Sequence, residues 1–274
     1  MTTHFGLIIV GDEILSGKRA DKHLPKAIEL LGARGLQLSY AHYVGDDPAR
    51  ITATLAQAFA AARQSGDVVF STGGIGATPD DHTRQCAAEA WGVPLALHPE
   101  AELLIRERMQ DIAREQGVAY EPDRHDNIHR LNMGVFPVGA QIIPNPYNKI
   151  PGFSCPAGEG ALHFMPGFPV MAWPMLEWLL DTRYAHLHQK AAYAEKSVIV
   201  LGSMEAMLTP LMIDIEDAFK GVKVFSLPSV DHPEHGRHIE LGVKGAPEAV
   251  EPAYAALLAG LREFDLNLGP ELVR

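Results

Sequence analysis

A glycine-rich loop over residues 71–83 carries the side chains best suited to chemistry. It reads STGGIGATPDDHT, follows an apolar stretch of strand length and precedes a helical pattern. Glycines let the backbone turn tightly and present N–H groups to an anion, and a helix N-terminus favours the same charge. The loop is neither a Walker A loop nor a dinucleotide fingerprint. It predicts a phosphate site, and the alternative is a plain glycine turn with Asp81 as the helix cap.

Two acidic turns follow other apolar runs. Gly11-Asp12-Glu13 ends Phe5–Val10, and Gly45-Asp46-Asp47 ends Leu36–Val44. Taken alone, each is explained by a solvated turn or a helix cap. Ligands of parallel sheets bind beyond the carboxyl ends of the strands, so the three loops predict one acidic cleft. Its carboxylates would repel one another unless a cation joins them, which predicts a magnesium-type site with a phosphate ligand.

The elements that must position these loops alternate between strand and helix over the first 90 residues. Strands are predicted at Phe5–Val10, Leu36–Val44 and Asp67–Phe70, and helices at Leu24–Leu31, Ala49–Gln64 and Thr83–Ala90. This order favours a three-layer α/β fold, a parallel sheet with helices on both faces. A further helix is predicted at Pro99–Gln116. The stretch Pro137–Pro174 contains eight prolines and predicts a loop-rich wall, and a short helix is predicted at Met171–Leu180.

A polar stretch over Asp181–Glu195 predicts a domain boundary near residue 190, which gives domains 1–190 and 191–274. The second domain is predicted to be a small β-α-β-β-α unit of the α+β class. Its predicted elements are strands Ser197–Leu201, Val222–Leu227 and His238–Val243, and helices Met204–Phe219 and Glu248–Phe264.

Composition narrows the class of protein. The 274 residues are 47% hydrophobic and carry a net charge of −11, which argues against disorder and against binding of nucleic acid. No apolar run is long enough to span a membrane, and the N-terminus lacks the basic region of a signal peptide. The two cysteines, Cys86 and Cys155, are too few for a disulfide framework. A cytoplasmic protein is expected.

The motifs GDEILSG, VGDD and STGGIGATPDDHT, with the later PNPYNKIPGF and MPGFP, resemble the molybdopterin-binding (MogA/MoaB/gephyrin) fold. The likeness is greatest to the N-terminal domain of the CinA competence- and damage-inducible proteins and runs from about residue 4 to 180. The tail from about residue 195 looks like the small KH-type domain that follows in CinA proteins. The resemblance does not reach their amidohydrolase domain, so that activity is not expected here.

The resemblance implies a cleft for a nucleotide or pterin phosphate. In CinA proteins the equivalent domain is described as a metal-dependent ADP-ribose pyrophosphatase, whereas in cofactor biosynthesis the cleft binds molybdopterin and some members adenylylate it. Catalytic roles are expected for Asp12, Asp46 and Asp81, the last two as ligands of Mg, Mn or Co. Ligand or phosphate contacts are expected from Gly11, Glu13, Thr72, Gly73, Gly74, Gly76, Asp80, Thr83, Asn145, Lys149 and Gly167.

Three hypotheses follow. The first is a metal-dependent nucleotide pyrophosphatase with a small-molecule substrate. The second is a protein that binds a pterin phosphate or transfers an adenylyl group to it. The third is a non-enzymatic binding module, suggested by departures from the family pattern at Ala77, Phe168 and Val170. Because members of this fold form dimers or trimers, a homo-oligomer is expected.

Overall fold

The computed structural model describes residues 3–188 and 194–273. The chain divides into two compact units, Met1–His188 and Gln189–Arg274. The domain boundary predicted near residue 190 therefore lies outside the described residues. No helix in the described ranges is both long and apolar enough to cross a membrane.

The N-terminal unit alternates between strands and helices, as the apolar periodicity predicts. Its elements in chain order are β1 Phe5–Val10, α1 Asp12–Leu15, α2 His23–Gly32, β2 Leu38–Val44, α3 Pro48–Ser65, β3 Val68–Thr72, α4 Thr83–Trp91, β4 Leu95–Leu97, α5 Pro99–Gln116, α6 His125–Arg130, β5 Val135–Pro137, β6 Gln141–Ile143, β7 Gly152–Ala157, β8 Gly160–Met165 and α7 Pro169–Thr182.

The central sheet has six strands in the order β2-β1-β3-β8-β7-β6. The first four run parallel to one another, whereas β7 and β6 are antiparallel to their neighbours. The sheet is therefore mixed, and its parallel part brings four strand carboxyl ends to one edge. In such sheets this edge is where ligands bind.

Both faces of the sheet are covered by helices, which gives the three layers expected for the fold class. One core lies against α3, α4 and α5 and contains Leu55 and Phe59, while the other lies against α2 and α7 and contains Leu31 and Leu179. Strand β1 is buried along its whole length, because both faces of a parallel sheet are covered.

The proline-rich stretch is more regular than the sequence predicts. It contains β7 and β8, two strands of six residues each, and α7 begins at Pro169. The prediction of a loop-rich wall was wrong for this part. Pro156 is tolerated in β7 because β6 pairs only with Gly152, Phe153 and Ser154, so a backbone N–H at Pro156 has no second strand to meet.

The C-terminal unit is an α+β domain, as predicted. Its four-stranded antiparallel sheet has the order β10-β11-β9-β12, and its core includes Leu241 and Leu257. The last strand was missed because Gly269-Pro270 interrupts its pattern. The elements are β9 Ala194–Leu201, α8 Glu205–Ala218, β10 Lys223–His232, β11 Gly236–Gly245, α9 Pro247–Leu261 and β12 Asn267–Val273.

Candidate functional site

A cavity of about 440 Å³ opens at the carboxyl ends of the parallel strands, formed by the loops that follow β1, β2, β3 and β8. This volume lies in the range of small-molecule sites. Its lining residues are Val10, Gly11, Glu13, Arg19, Asp46, Gly73, Gly74, Ile75, Gly76, Ala77, Thr78, Asp80, Asp81, Met133, Asn148, Ile150, Pro151, Pro166, Gly167, Phe168 and Met171.

Hydrogen bonds between Asp12 and Asp46 join the two acidic turns. The backbone N–H of Asp12 donates to Asp46 Oδ2 at 2.9 Å, and the backbone N–H of Asp46 donates to Asp12 Oδ1 at 3.2 Å. The loops after β1 and β2 are thereby held side by side. Asp46 lines the cavity, whereas Asp12 is exposed and lies outside the lining.

The electrostatics of this edge are those of crowded carboxylates. Burial raises the pKa of Asp46 above its ordinary value, and the hydrogen bond from the Asp12 backbone opposes that rise. Negative charges on Asp12, Glu13 and Asp80 raise the pKa of Asp46 further. A bound cation would reverse this last effect, because opposite charge favours the ionised carboxylate.

The glycine loop has little space for side chains at two of its glycines. A Cβ at Gly73, where φ is +99°, would overlap the carbonyl oxygen of Val10, and a Cβ at Gly74 would overlap the Thr83 hydroxyl. Thr83 is fully buried and fixes the turn, since its Oγ1 donates to the Gly73 carbonyl at 3.0 Å. These glycines allow the close approach on which the turn depends.

Four consecutive N–H groups of the loop are free for a ligand. The backbone N–H groups of residues 74–77 have no acceptor within the described part of the chain, and all four residues line the cavity. Free N–H groups beside a helix N-terminus form an anion-binding surface. The first residue of α4 is Thr83, so this surface lies near the positive end of that helix.

Asp81 fixes the loop rather than capping the helix. Its Oδ2 accepts hydrogen bonds from the backbone N–H of Thr78 at 2.8 Å and from the Thr78 hydroxyl at 2.6 Å. The N-cap of α4 is His82, which makes no side-chain cap bond, so the alternative assignment of Asp81 as cap was wrong. The Asp81 carboxylate closes a tight turn while it lines the cavity.

Apart from the glycine loop, the cavity has a largely apolar wall. Met133, Ile150, Phe168 and Met171 line it, and the Phe168 side chain is 56% exposed. An exposed aromatic ring in a cavity provides a flat surface against which a planar ligand ring packs. The cleft thus has one polar wall and one apolar wall.

Three predicted contacts on this second wall have different surroundings. Gly167 lines the cavity, and its carbonyl accepts a hydrogen bond from His23 Nε2 at 3.0 Å. Asn145 is buried outside the lining, and its amide holds its own turn by donating to the Ile150 carbonyl. Lys149 directs its Nζ to Asp111 at 2.8 Å, away from the lining set.

The remaining predicted residues also divide into those that line the cavity and those that lie outside its lining. Gly11, Glu13, Gly76 and Asp80 line the cavity, whereas Thr72 and Thr83 are buried next to it. In the ranges that the structure describes, no three histidine, cysteine or acidic side chains are close enough to hold a metal. Asp46 and Asp81 line the same cavity, and a Mg²⁺-type cation takes one or two carboxylates and completes its shell with phosphate oxygens and water.

Sequence reasoning missed two arginines at this site. Arg19 lines the cavity as the one cationic side chain among the lining residues of the described chain. Arg84 lies behind the glycine loop, where its Nη2 donates to the Gly76 carbonyl at 2.6 Å. A signal for Arg84 was available, because it shares the buried face of α4 with Ala87 and Ala88, where a charge is unusual.

Fold and cleft together define an α/β ligand-binding domain of three layers, with its site at the carboxyl edge of the sheet. Residues 6–186 match the family model described as a probable molybdopterin binding domain. The chain belongs to this family.

Relatives extend the likeness beyond this domain. A CinA-like protein of Anaeromyxobacter sp. (strain K) is 34% identical over 97% of this chain and 60% of its own length. A CinA-like protein of Mycobacterium tuberculosis is 28% identical over 94% of this chain and 59% of its own length. The chain thus spans about three-fifths of the length of these two relatives. A solved structure titled as the protein CinA with unknown function, from Thermoplasma acidophilum, is 25% identical. The match covers 65% of this chain and 98% of the Thermoplasma chain, with a TM-score of 0.53.

Proposed function

We propose that the N-terminal unit binds a pterin phosphate in this cleft, with a divalent cation shared between the protein and the ligand. The observation that carries the proposal is the row of free N–H groups at residues 74–77 beside the start of α4. The probable molybdopterin binding family supports a pterin as the ring. The apolar wall with Phe168 offers that ring a packing surface.

The chain's own residues have separate roles in this proposal. The loop N–H groups bind the phosphate, Asp81 keeps the loop closed and Phe168 orients the ring. Asp46 would hold the cation, with Asp81 as the second carboxylate of the cleft. When bound, the cation would neutralise charge on both the acids and the phosphate.

Titration calorimetry with a pterin monophosphate, AMP, ADP and ADP-ribose tests this proposal, each measured with Mg²⁺ and with EDTA. We expect saturable binding that weakens without Mg²⁺ and weakens at least tenfold in Asp46→Asn. Asp123→Asn, an exposed acid outside the cavity lining, is the matched control. Absence of binding by all four compounds would overturn the proposal.

A second candidate function is a metal-dependent pyrophosphatase of the ADP-ribose type. The carboxylates crowded around Asp46 favour it, because four acids line the cleft and a binding role alone does not require so many. Hydrolysis would add one water across the P–O–P bond and give AMP and ribose 5-phosphate. The bound cation would polarise the phosphates and lower the pKa of the attacking water.

Release of AMP from ADP-ribose, measured with Mg²⁺, Mn²⁺ and Co²⁺, separates the two candidates. Metal-dependent turnover that is lost in Asp81→Asn would support the enzyme. Saturable binding with turnover no faster than that of buffer would leave the chain a binding protein. The family resemblance predicts a homo-oligomer, and light scattering of the same sample tests that prediction.

A further inference from the structure

Arg84 is a buried arginine in the first turn of α4, directly after the glycine loop. Arg84 is only 5% exposed, and its Nη2 donates to the Gly76 carbonyl. Its Nε and Nη1 atoms are buried and have no hydrogen-bond partner in the described residues. Because buried polar groups are nearly always paired, two unpartnered donors on one guanidinium require an explanation.

The charge of Arg84 also lacks a direct partner. In the described ranges no carboxylate lies within 4.0 Å of it, and the negative charge that acts on it is that of Asp81. Burial lowers the pKa of Arg84, yet a guanidinium is too weak an acid to lose its proton at neutral pH. A positive charge is therefore held behind the loop, in a place where desolvation is costly.

The cleft itself has the wrong sign of charge for a phosphate. Its lining contains four acidic residues, Glu13, Asp46, Asp80 and Asp81. The lining also contains Arg19, which is exposed. An exposed charge is screened by water and salt, whereas a buried one is screened much less. The N–H groups of the loop carry only partial charges. A phosphate would thus meet net repulsion if the loop were its only support.

We propose that Arg84 supplies the positive charge through which the glycine loop accepts a phosphate in this acidic cleft. This inference rests on the proposed function and names a positioning residue for it. Arg84 does not line the cavity, so it acts through the loop. It binds the Gly76 carbonyl from behind and sets a favourable potential at the free N–H groups of residues 74–77.

The test is titration calorimetry of the full chain with AMP, ADP and inorganic pyrophosphate in the presence of Mg²⁺. Arg84→Gln removes the charge, Arg84→Lys keeps it, and Arg84→Met removes it without leaving a buried polar group unpaired. Arg183→Gln is the matched control, because Arg183 is a partly buried arginine of the same unit outside the cavity lining. Near-ultraviolet circular dichroism verifies that each variant is folded, and Arg84→Met replaces Arg84→Gln if the latter unfolds.

We expect the Kd of ADP to rise at least tenfold in Arg84→Gln and in Arg84→Met. The rise should be smaller for AMP, which carries less negative charge, and it should stay below threefold in Arg84→Lys and in Arg183→Gln. A purely structural role of Arg84 would not produce this dependence on ligand charge.

Three results would overturn the proposal. Unchanged Kd values in Arg84→Gln and Arg84→Met would reject Arg84 alone and leave the proposed function standing. Equal losses for AMP and ADP, or a loss in Arg84→Lys as large as in Arg84→Gln, would reject the charge as the cause. No binding of any probe by the wild type, with no pterin phosphate bound either, would reject the proposed function together with this inference.

Discussion

The N-terminal unit contains two buried polar clusters, which differ in whether the protein satisfies them. The closed cluster comprises Ser154, His163 and Tyr184. The ring of His163 lies between the other two, with Nδ1 2.7 Å from Ser154 Oγ and Nε2 2.6 Å from the Tyr184 hydroxyl. A neutral imidazole has one donor and one acceptor, so both of its nitrogens are paired. Phe70 stacks on the ring, and no polar group of His163 is left for a ligand.

The open cluster is a group of sequence neighbours: Ser71 and Thr72 begin the glycine loop, and Arg84 directly follows it. The two hydroxyls and two guanidinium nitrogens of this cluster are buried without a partner in the described residues. An unsatisfied buried group costs about 1–3 kcal/mol, so it persists where another requirement overrides stability. The closed cluster thus joins β7, β8 and Tyr184, whereas the open cluster lies beside the loop that lines the cleft.

The largest effect is expected where the loop of the open cluster meets the sheet. Gly73→Ala places a Cβ on the Val10 carbonyl oxygen at a φ of +99°, and backbone atoms cannot move aside cheaply. We expect the free energy of unfolding to fall by about 3–5 kcal/mol in urea denaturation. Gly92→Ala is the control, because Gly92 also has a positive φ but open space around it, and about 1–2 kcal/mol is expected there. Equal losses would show that the close approach to Val10 is unimportant.

Lowering the pH tests whether the closed cluster depends on a neutral His163 ring. Burial lowers the pKa of His163 from its ordinary 6.5 to about 3, so between these values the unfolded chain binds one proton more than the folded chain. Stability from the neutral ring is complete above pH 6.5 and is lost as the pH falls. The expected slope is about 1.4 kcal/mol per pH unit.

Urea denaturation from pH 7 to pH 4.5 measures this slope. The slope attributable to the ring should disappear in His163→Gln and remain in the exposed control His129→Gln. A His163→Gln curve that parallels the wild type would mean that the closed cluster does not depend on a neutral imidazole.

A smaller effect is expected on the apolar wall of the cleft. Phe168→Ala removes the exposed ring from the cavity, and we expect the Kd of AMP to rise about twofold to tenfold, since aromatic pairs contribute about 0.5–1.5 kcal/mol. The Kd of pyrophosphate should not change, because pyrophosphate has no ring. Phe168→Tyr should retain binding of AMP. A parallel loss for both ligands would place Phe168 in the support of the loop rather than in ring recognition.

The smallest effect is expected at Lys149, which the sequence assigned to the phosphate. Its Nζ pairs with Asp111 and Glu107 at the surface, and exposed ion pairs contribute about 0–1 kcal/mol. Lys149→Ala should therefore lower the free energy of unfolding by less than about 1 kcal/mol and leave the Kd of pyrophosphate within twofold. A rise above threefold would restore the predicted ligand role. Lys220→Ala, which breaks another exposed ion pair, is the control for stability.

Local sequence patterns were sufficient to predict several elements of the N-terminal unit. The predicted strand Phe5–Val10 and helix Pro99–Gln116 have the bounds of β1 and α5, because their periodicity and flanking residues are local signals. The glycine loop was found for the same reason. Its glycines are necessary at Gly73 and Gly74, where the backbone passes too close to its neighbours for a Cβ.

Contacts between distant segments explain what the sequence patterns did not show. The hairpin of β7 and β8 was missed because its prolines suggest a loop, and only pairing of β8 with β3 shows that it completes the sheet. Asn145 and Lys149 were predicted to face a ligand, yet the structure gives them partners that spacing does not reveal.

The sequence by itself determined the alternation of strand and helix, the α/β class and the position of the glycine loop, because these depend on residues within one or two turns of each other. Tertiary structure alone decided that β7 and β6 each run antiparallel to their neighbours, that Asp12 and Asp46 exchange hydrogen bonds and that Arg84 is buried behind the loop, with no ion-pair partner among the described residues. These features are set by which surfaces pack together, and packing joins residues that the chain keeps far apart.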